Sequence, residues 1–125
     1  MGWARAAVGA GLLLAPGAFL RISGREPPTP VSVLLMRTIG IRDLVLGSGT
    51  VAAARRGSGS DLQRWTSAGL TSDSLDVLAS VVASRTIGRT EAIGAAGAAL
   101  VFATGDVVAL RGLRSAPPEP GAPVR

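Results

Sequence analysis

Four apolar segments separated by short polar joints, at residues 3–20, 31–54, 62–84 and 90–111, set what this chain can fold into. Each is about twenty residues long, the length a helix rising about 1.5 Å per residue needs to cross about 30 Å of hydrocarbon. The repetition predicts an all-α fold, a four-helix transmembrane bundle over residues 1–114. The remaining stretch, 115–125, reads SAPPEPGAPVR and is expected to be a disordered proline-rich tail. Only 17% of the residues are charged, against about 25% in an ordinary soluble domain, and the mean hydropathy is +0.41. Large packing groups are scarce, since the aromatic residues are Trp3, Phe19, Trp65 and Phe102 alone. Alanine and glycine take their place, which suits close approach between membrane helices better than a water-soluble core.

Several chemistries are excluded at once. Without cysteine there are no disulfides, thiolate metal sites or thiol nucleophiles. Without histidine the commonest metal ligand and neutral-pH acid–base group are missing too. No motif indicates a reaction, a metal or a cofactor, and none is expected. All 13 basic residues are arginine, which with the Ala and Gly excess fits a GC-rich bacterial genome. The formal net charge of +5 does not imply nucleic acid, because the arginines flank apolar segments and no aromatic platform accompanies them. The expected partners are the lipid bilayer and, within it, another copy of the chain or a different membrane protein.

The joints fix the details. Pro16-Gly17 should kink the first helix or end it early. A signal peptide is the competing reading of that segment, with Arg5 as the charged region, Ala6–Ala15 as the apolar region and Ala-Pro-Gly-Ala as a loose cleavage site. Ser23 to Pro30, with Pro27, Pro28 and Pro30, reads as a stiff non-helical loop, and Arg55 to Ser60 as a flexible polar turn that Asp61 could follow as a cap. Counting arginines, Arg5, Arg55, Arg56, Arg64, Arg111 and Arg114 fall on one side, and Arg21, Arg25, Arg85 and Arg89 on the other. That bias favours a multi-pass protein of the cell (inner) membrane with both termini cytoplasmic. The tetrapeptide RTIG occurs at Arg37–Gly40 and Arg85–Gly88; a two-hairpin duplication and coincidence in a biased composition both account for it.

At about 100° per residue, Gly69, Ser72, Asp73, Asp76, Ser80 and Ser84 share one face of the third segment. Ala92, Ala95, Ala99 and Asp106 share one face of the fourth, opposite Ile93, Leu100 and Val107. Gly40, Asp43, Gly47 and Thr50 form a seam on the second, while Arg42 lies on another face with Thr38 and Gly49, so this helix should touch two neighbours. In a membrane the polar faces must turn inward and the aliphatic ones toward lipid.

Charges inside the segments carry the most information. An Asp or Arg at mid-helix costs roughly 2.5–3.5 kcal/mol on the insertion scale, and each Leu, Ile, Val or Phe returns only about 0.3–0.6. The second segment, bearing Arg37, Arg42 and Asp43, must therefore insert with help. Matching residues by depth, Arg42 should pair with Asp73 or Asp76, Arg5 with Asp106, and Arg37 with Glu91. Asp43, Asp73, Asp76 and Asp106 outnumber the deep arginines, so some carboxylates are expected to reach water or take up a proton. This intramembrane polar cluster of Arg5, Arg37, Arg42, Asp43, Asp73, Asp76 and Asp106 is the candidate site. It serves either as interhelical glue or as a polar site for a proton, an anionic headgroup or a substrate. Elsewhere the signals are ordinary: Arg55-Arg56 reads as a topology determinant, Gly-Ser-Gly at 47–49 lacks the lysine of a phosphate loop, and Trp3 and Trp65 read as interfacial anchors.

Around RTIGIRDLVLGSGT (Arg37–Thr50) the sequence resembles a family of small bacterial and fungal membrane proteins known only as a domain of unknown function. The matching positions are Arg37, Gly40, Arg42, Asp43 and Gly47, in the pattern Arg-x-x-Gly-x-Arg-Asp followed by an apolar, glycine-containing run. In outline the likeness covers all four segments, and it extends loosely to DoxX-type four-helix membrane proteins. The resemblance implies a four-helix membrane protein and no activity. A non-catalytic structural or accessory membrane component is therefore expected first. A small transporter or membrane enzyme, binding a lipid-like or anionic molecule at the cluster, is the alternative.

Overall fold

The computed structural model describes residues 1–22, 28–87 and 89–115, the side chains at 87, 89–92, 94 and 95 excepted. The described residues form five helices: α1 (Gly2–Leu14), α2 (Pro16–Ile22), α3 (Pro30–Arg55), α4 (Gly59–Ile87) and α5 (Arg89–Ser115). The protein is all-α.

The kink or early end expected at Pro16-Gly17 within 3–20 is a break into two helices, bent by 100° at Ala15. Pro16 has no N–H to continue the ladder, and its ring drives the preceding residue out of the helical region. Ala15 accordingly sits at φ −132°, ψ 53°, its N–H still bonded to the Gly11 carbonyl, and Pro16 opens α2. Pro30, expected in a non-helical loop, is the first residue of α3, where a missing N–H costs nothing. Thr29 caps that helix reciprocally with Ser32: the Thr29 hydroxyl accepts from the Ser32 N–H at 3.1 Å, and the Thr29 N–H donates to the Ser32 hydroxyl at 3.0 Å.

The Arg55–Ser60 joint is tighter than a flexible turn. Gly57 takes φ +66°, and the N–H groups of Gly57 and Ser58 return to the carbonyls of Ala54 and Ala53, the glycine-terminated ending that needs a left-handed residue. Ser58, not Asp61, then caps α4: its hydroxyl accepts from the Asp61 N–H at 3.3 Å. With Ser58 in that role, Gly59 and Ser60 join the first turn. The third helix therefore runs Gly59–Ile87 instead of 62–84, and the fourth Arg89–Ser115 instead of 90–111. Ser115, expected to begin the tail, is still helical, its hydroxyl on the Arg111 carbonyl; residues 116–125 lie outside the described residues, as do 23–27 of the proline loop. The RTIG repeat falls in unlike places. Arg37–Gly40 lies inside α3, while Arg85 is in the last turn of α4.

The helices associate as two pairs, α1 on α3 and α4 on α5, joined by a less extensive α3–α4 contact. The first pair is antiparallel and meets backbone to backbone. A Cβ added to Gly9 would lie 2.7 Å from the Gly40 carbonyl oxygen, one on Gly40 would lie 2.8 Å from the Gly9 oxygen, and one on Gly47 would lie 2.7 Å from the Gly2 oxygen. No side chain fits there. On its other face α3 meets α4, where the Trp65 indole lies directly on Gly49; Trp65, expected as an interfacial anchor, is thus also an interhelical filler.

Gly47→Ala should force α1 and α3 apart and lower stability by about 1–3 kcal/mol. Gly112→Ala, at a position with no heavy atom within 4 Å of a built Cβ, should leave it unchanged or raised by up to about 1 kcal/mol. Reversible unfolding of the detergent-solubilised protein, followed by helical circular dichroism, measures both.

Candidate functional site

Each helix of the two pairs contributes to one charged network. α1 supplies Arg5, α3 supplies Arg42 and Asp43, α4 supplies Asp73 and Asp76, and α5 supplies Asp106. Arg5 is the hub. Its Nη1 donates to Asp73 Oδ1 at 3.1 Å and its Nη2 to the other Asp73 oxygen, a bidentate fork. The same Nη2 donates to Asp106 Oδ2 at 3.0 Å, and Nη1 lies 3.5 Å from Asp43 Oδ1. Below the guanidinium, the Phe102 ring centroid is 4.7 Å from Cζ, within cation–π range. Arg42 makes the second link. Its Nε and Nη2 donate to Asp43 Oδ1 at 3.2 and 3.0 Å, and its Nη1 donates to Asp76 Oδ2.

Burial differs between the two halves. Arg5 and Asp73 are 3% and 1% exposed, whereas the side chains of Arg42 and Asp76 are 30% and 40% exposed. Gly69 makes room for the buried half, since a Cβ there would stand 3.5 Å from Arg5 Cζ and 2.5 Å from Asp106 Oδ2.

The structure therefore contains the pairs Arg5–Asp106 and Arg42–Asp76 that helix depth suggests. It departs from that reading in two ways. Arg5 binds Asp73 more fully than Asp106, and Asp43, which depth matching leaves without a partner, bridges both arginines. Arg37 does not join: it is exposed on α3, makes no ion pair among the described residues, and the side chain of its expected partner Glu91 lies outside them. The surplus of carboxylates is met by sharing. Two arginines serve four aspartates, and among the described residues no buried side-chain nitrogen or oxygen lacks a hydrogen-bond partner.

Sequence reasoning placed Arg5 in the cluster with Asp106 but missed its contacts to Asp73 and Asp43, because a guanidinium reaching from α1 to α4 depends on an interhelical distance that no spacing encodes. It also passed over Gly2 and Gly9, although their interval of seven equals that of Gly40 and Gly47 and marks two facing seams. Chemically the cluster offers carboxylates and guanidinium groups, and no group of three acidic side chains among the described residues is placed to hold a metal ion.

A cleft of about 560 Å³ opens at the end where α1 begins and α5 finishes, bounded by all four long helices. Asp106 is on its wall, but Arg42, Asp73 and Asp76 are not among its lining residues.

Arg5→Met strips three buried carboxylates of their shared cation and should cost about 3–5 kcal/mol. Asp76→Asn, on the half-exposed pair, should cost less than about 1 kcal/mol. Denaturation midpoints of the two variants in one detergent test the order, which a hub at Arg42 would reverse. No family model, curated protein or solved structure matches the chain.

Proposed function

We propose that the protein is a non-catalytic integral membrane component, a four-helix transmembrane bundle whose Arg/Asp cluster ties its helices together. The observation that carries this is the inverted distribution of side chains. Arg5, Asp43, Thr66, Asp73, Ser80 and Asp106 are buried, while Leu75, Leu78, Val81, Val82, Val101 and Val108 are exposed, with Ile93 and Leu100 at 71% and 52%. Several exposed hydroxyls bond inside their own helices: those of Thr71, Ser74 and Thr104 donate to the carbonyls four residues earlier, which suits a solvent without hydrogen-bonding capacity.

By length and composition α5 alone, over Ala96–Ser115, passes as a straight span among the described residues, with the bent pair α1–α2 as a broken one. α3 carries too many charges to pass, and α4, with Asp73, Asp76 and its serines and threonines, is too polar; the ion pairs offset part of that cost. Arg42 is shared by Asp43 and Asp76, and Asp73 is paired with Arg5 of α1, so these charges do not enter as separate costs of roughly 2.5–3.5 kcal/mol each. α1 has 13 residues and rises about 20 Å, less than a full crossing, so α2 turns along the far interface. Arg5 is consumed inside the bundle and leaves the topology count. Arg55, Arg56, Arg64, Arg111 and Arg114 then face Arg21, Arg25, Arg85 and Arg89, which keeps both termini on the cytoplasmic side of the cell membrane.

Saturation of the cluster's buried half supports a tie over a transport or catalytic centre. A ligand at the cluster needs a guanidinium face to spare, and Arg5 is buried against three carboxylates and a ring. The resemblance at Arg37–Thr50 supports the same architecture.

In membranes from an expressing cell, the protein should stay in the pellet through an alkaline carbonate wash; release into the supernatant overturns the membrane reading. Because the chain has no cysteine, single substitutions Ser60→Cys and Ser115→Cys report topology. Both should react with a membrane-impermeant maleimide in inverted vesicles and not in intact cells.

A further inference from the structure

We propose that the cleft at the terminal end of the helices holds one acyl chain of an anionic phospholipid, with its phosphate against Arg55. The inference rests on the membrane reading and adds a ligand to it. The volume of about 560 Å³ falls within the range of about 300–1,000 Å³ typical of small-molecule sites. Its walls are apolar: Trp3 from α1, Val51 and Ala54 from α3, Leu62 from α4, and Ala109 and Leu113 from α5.

The polar groups on the wall are already committed. Thr50 and Thr66 donate to the carbonyls of Leu46 and Leu62, and Asp106 is held by Arg5. Among the side chains of the wall, a ligand body entering here meets hydrocarbon surface and no hydrogen-bonding group that is free. Arg55 is the exception. Its Cζ stands 5.0 Å from the centroid of the Trp3 ring, which fixes the guanidinium by its face and leaves its edge N–H groups for an anion, and it makes no ion pair among the described residues. Arg56, Arg111 and Arg114 are exposed at the same end. An apolar slot with one oriented cation at its rim matches a hydrocarbon chain that carries a phosphate at one end. Inside a bilayer such a slot, open to its surroundings, loses dispersion contacts unless a chain fills it. The chain would lie between α1 and α5, which are bridged there by side chains: Met1 on Gly105, and Arg5 on Asp106.

Trp3 is both the wall and the reporter. In a Trp65→Phe background it is the sole indole, and lipids brominated along the chain quench it on contact. Reconstituted in vesicles, it should be quenched by brominated phosphatidylglycerol at about fivefold lower mole fraction than by brominated phosphatidylcholine, the preference one basic residue near a phosphate confers. Arg55→Gln should abolish the preference, Arg56→Gln should keep most of it, and Ala109→Phe, which fills the slot, should weaken quenching by both lipids with helical dichroism unchanged. Equal quenching by the two lipids overturns the proposal. So does an equal loss in Arg55→Gln and Arg56→Gln, which would mean diffuse attraction to a basic surface. A chain that fails to float with vesicles of either composition refutes the membrane reading, and this site with it.

Discussion

The Arg5 side chain is the constraint on which the arrangement depends. The two helix pairs are well packed within themselves, but α1 reaches the α4–α5 pair through side chains, not backbone contact. Arg5 spans that gap with both prongs of its guanidinium, and Asp73 and Asp106 receive it from two different helices. A charge so deeply buried is costly to desolvate, and its attraction to the carboxylates repays this only when the geometry is nearly complete. That condition makes the contact selective. A rotation of α1 that moved Arg5 from the fork would orphan Asp73 and Asp106 together and leave Asp43 to Arg42 alone, so one orientation of the pairs is strongly preferred over its neighbours. Aliphatic side chains in the same place would allow many rotations at similar energy, above all in a lipid environment that offers no hydrophobic gain for choosing one.

Placement of the hub is prepared by glycine. The backbones of α1 and α3 touch at Gly9–Gly40 and at Gly2–Gly47, two points one heptad apart, and Arg5 lies between them on α1 as Asp43 does on α3. The contact sets relative depth to within a fraction of a turn, because a shift would drive Cβ-bearing residues into backbone. The segment Arg37–Gly47 can then be read physically. Gly40 and Gly47 admit α1, Asp43 receives Arg5, and Arg42 turns the other way to Asp76 on α4. Two helix faces about 100° apart are written into adjacent residues, which is why Arg and Asp stand side by side. Arg37 takes no part in this, so its place in the pattern has no explanation in the ion-pair network.

What the sequence disclosed follows from periodicity and direction. Helical repeat alone puts Gly40, Asp43 and Gly47 on one seam and Gly69, Asp73 and Ser80 on another, and all six are buried. Alternation of direction along the chain brings Arg5 level with Asp106, and Arg42 level with Asp76. Quantities that depend on distances between helices were hidden. The 100° turn at Ala15 could be located from Pro16 but not measured, since an early end and a kink have the same sequence. Trp65 looked like an anchor because it follows a polar turn; only the bare surface of Gly49 opposite makes it a filler. Helix ends were misplaced for a local reason, because Ser58 and Asp61 can each cap and the choice fell to the residue that the Gly57 turn presents first.

The same contacts have a different meaning in water than in lipid. The buried apolar side chains among the described residues, Leu12, Pro16, Leu20, Ala53, Ala99 and Leu110, are few and small for the core of a soluble domain. In water the exposed leucines and valines would drive the helices to rotate inward, exposing Asp73 and Arg5 to a solvent that would hydrate them gladly. In hydrocarbon both forces reverse sign. The aliphatic surface loses nothing by facing outward, and each separated charge loses its only available partner. On the proposed membrane reading the ion network is therefore conditional: it would hold the two pairs together because the surrounding medium could not replace it.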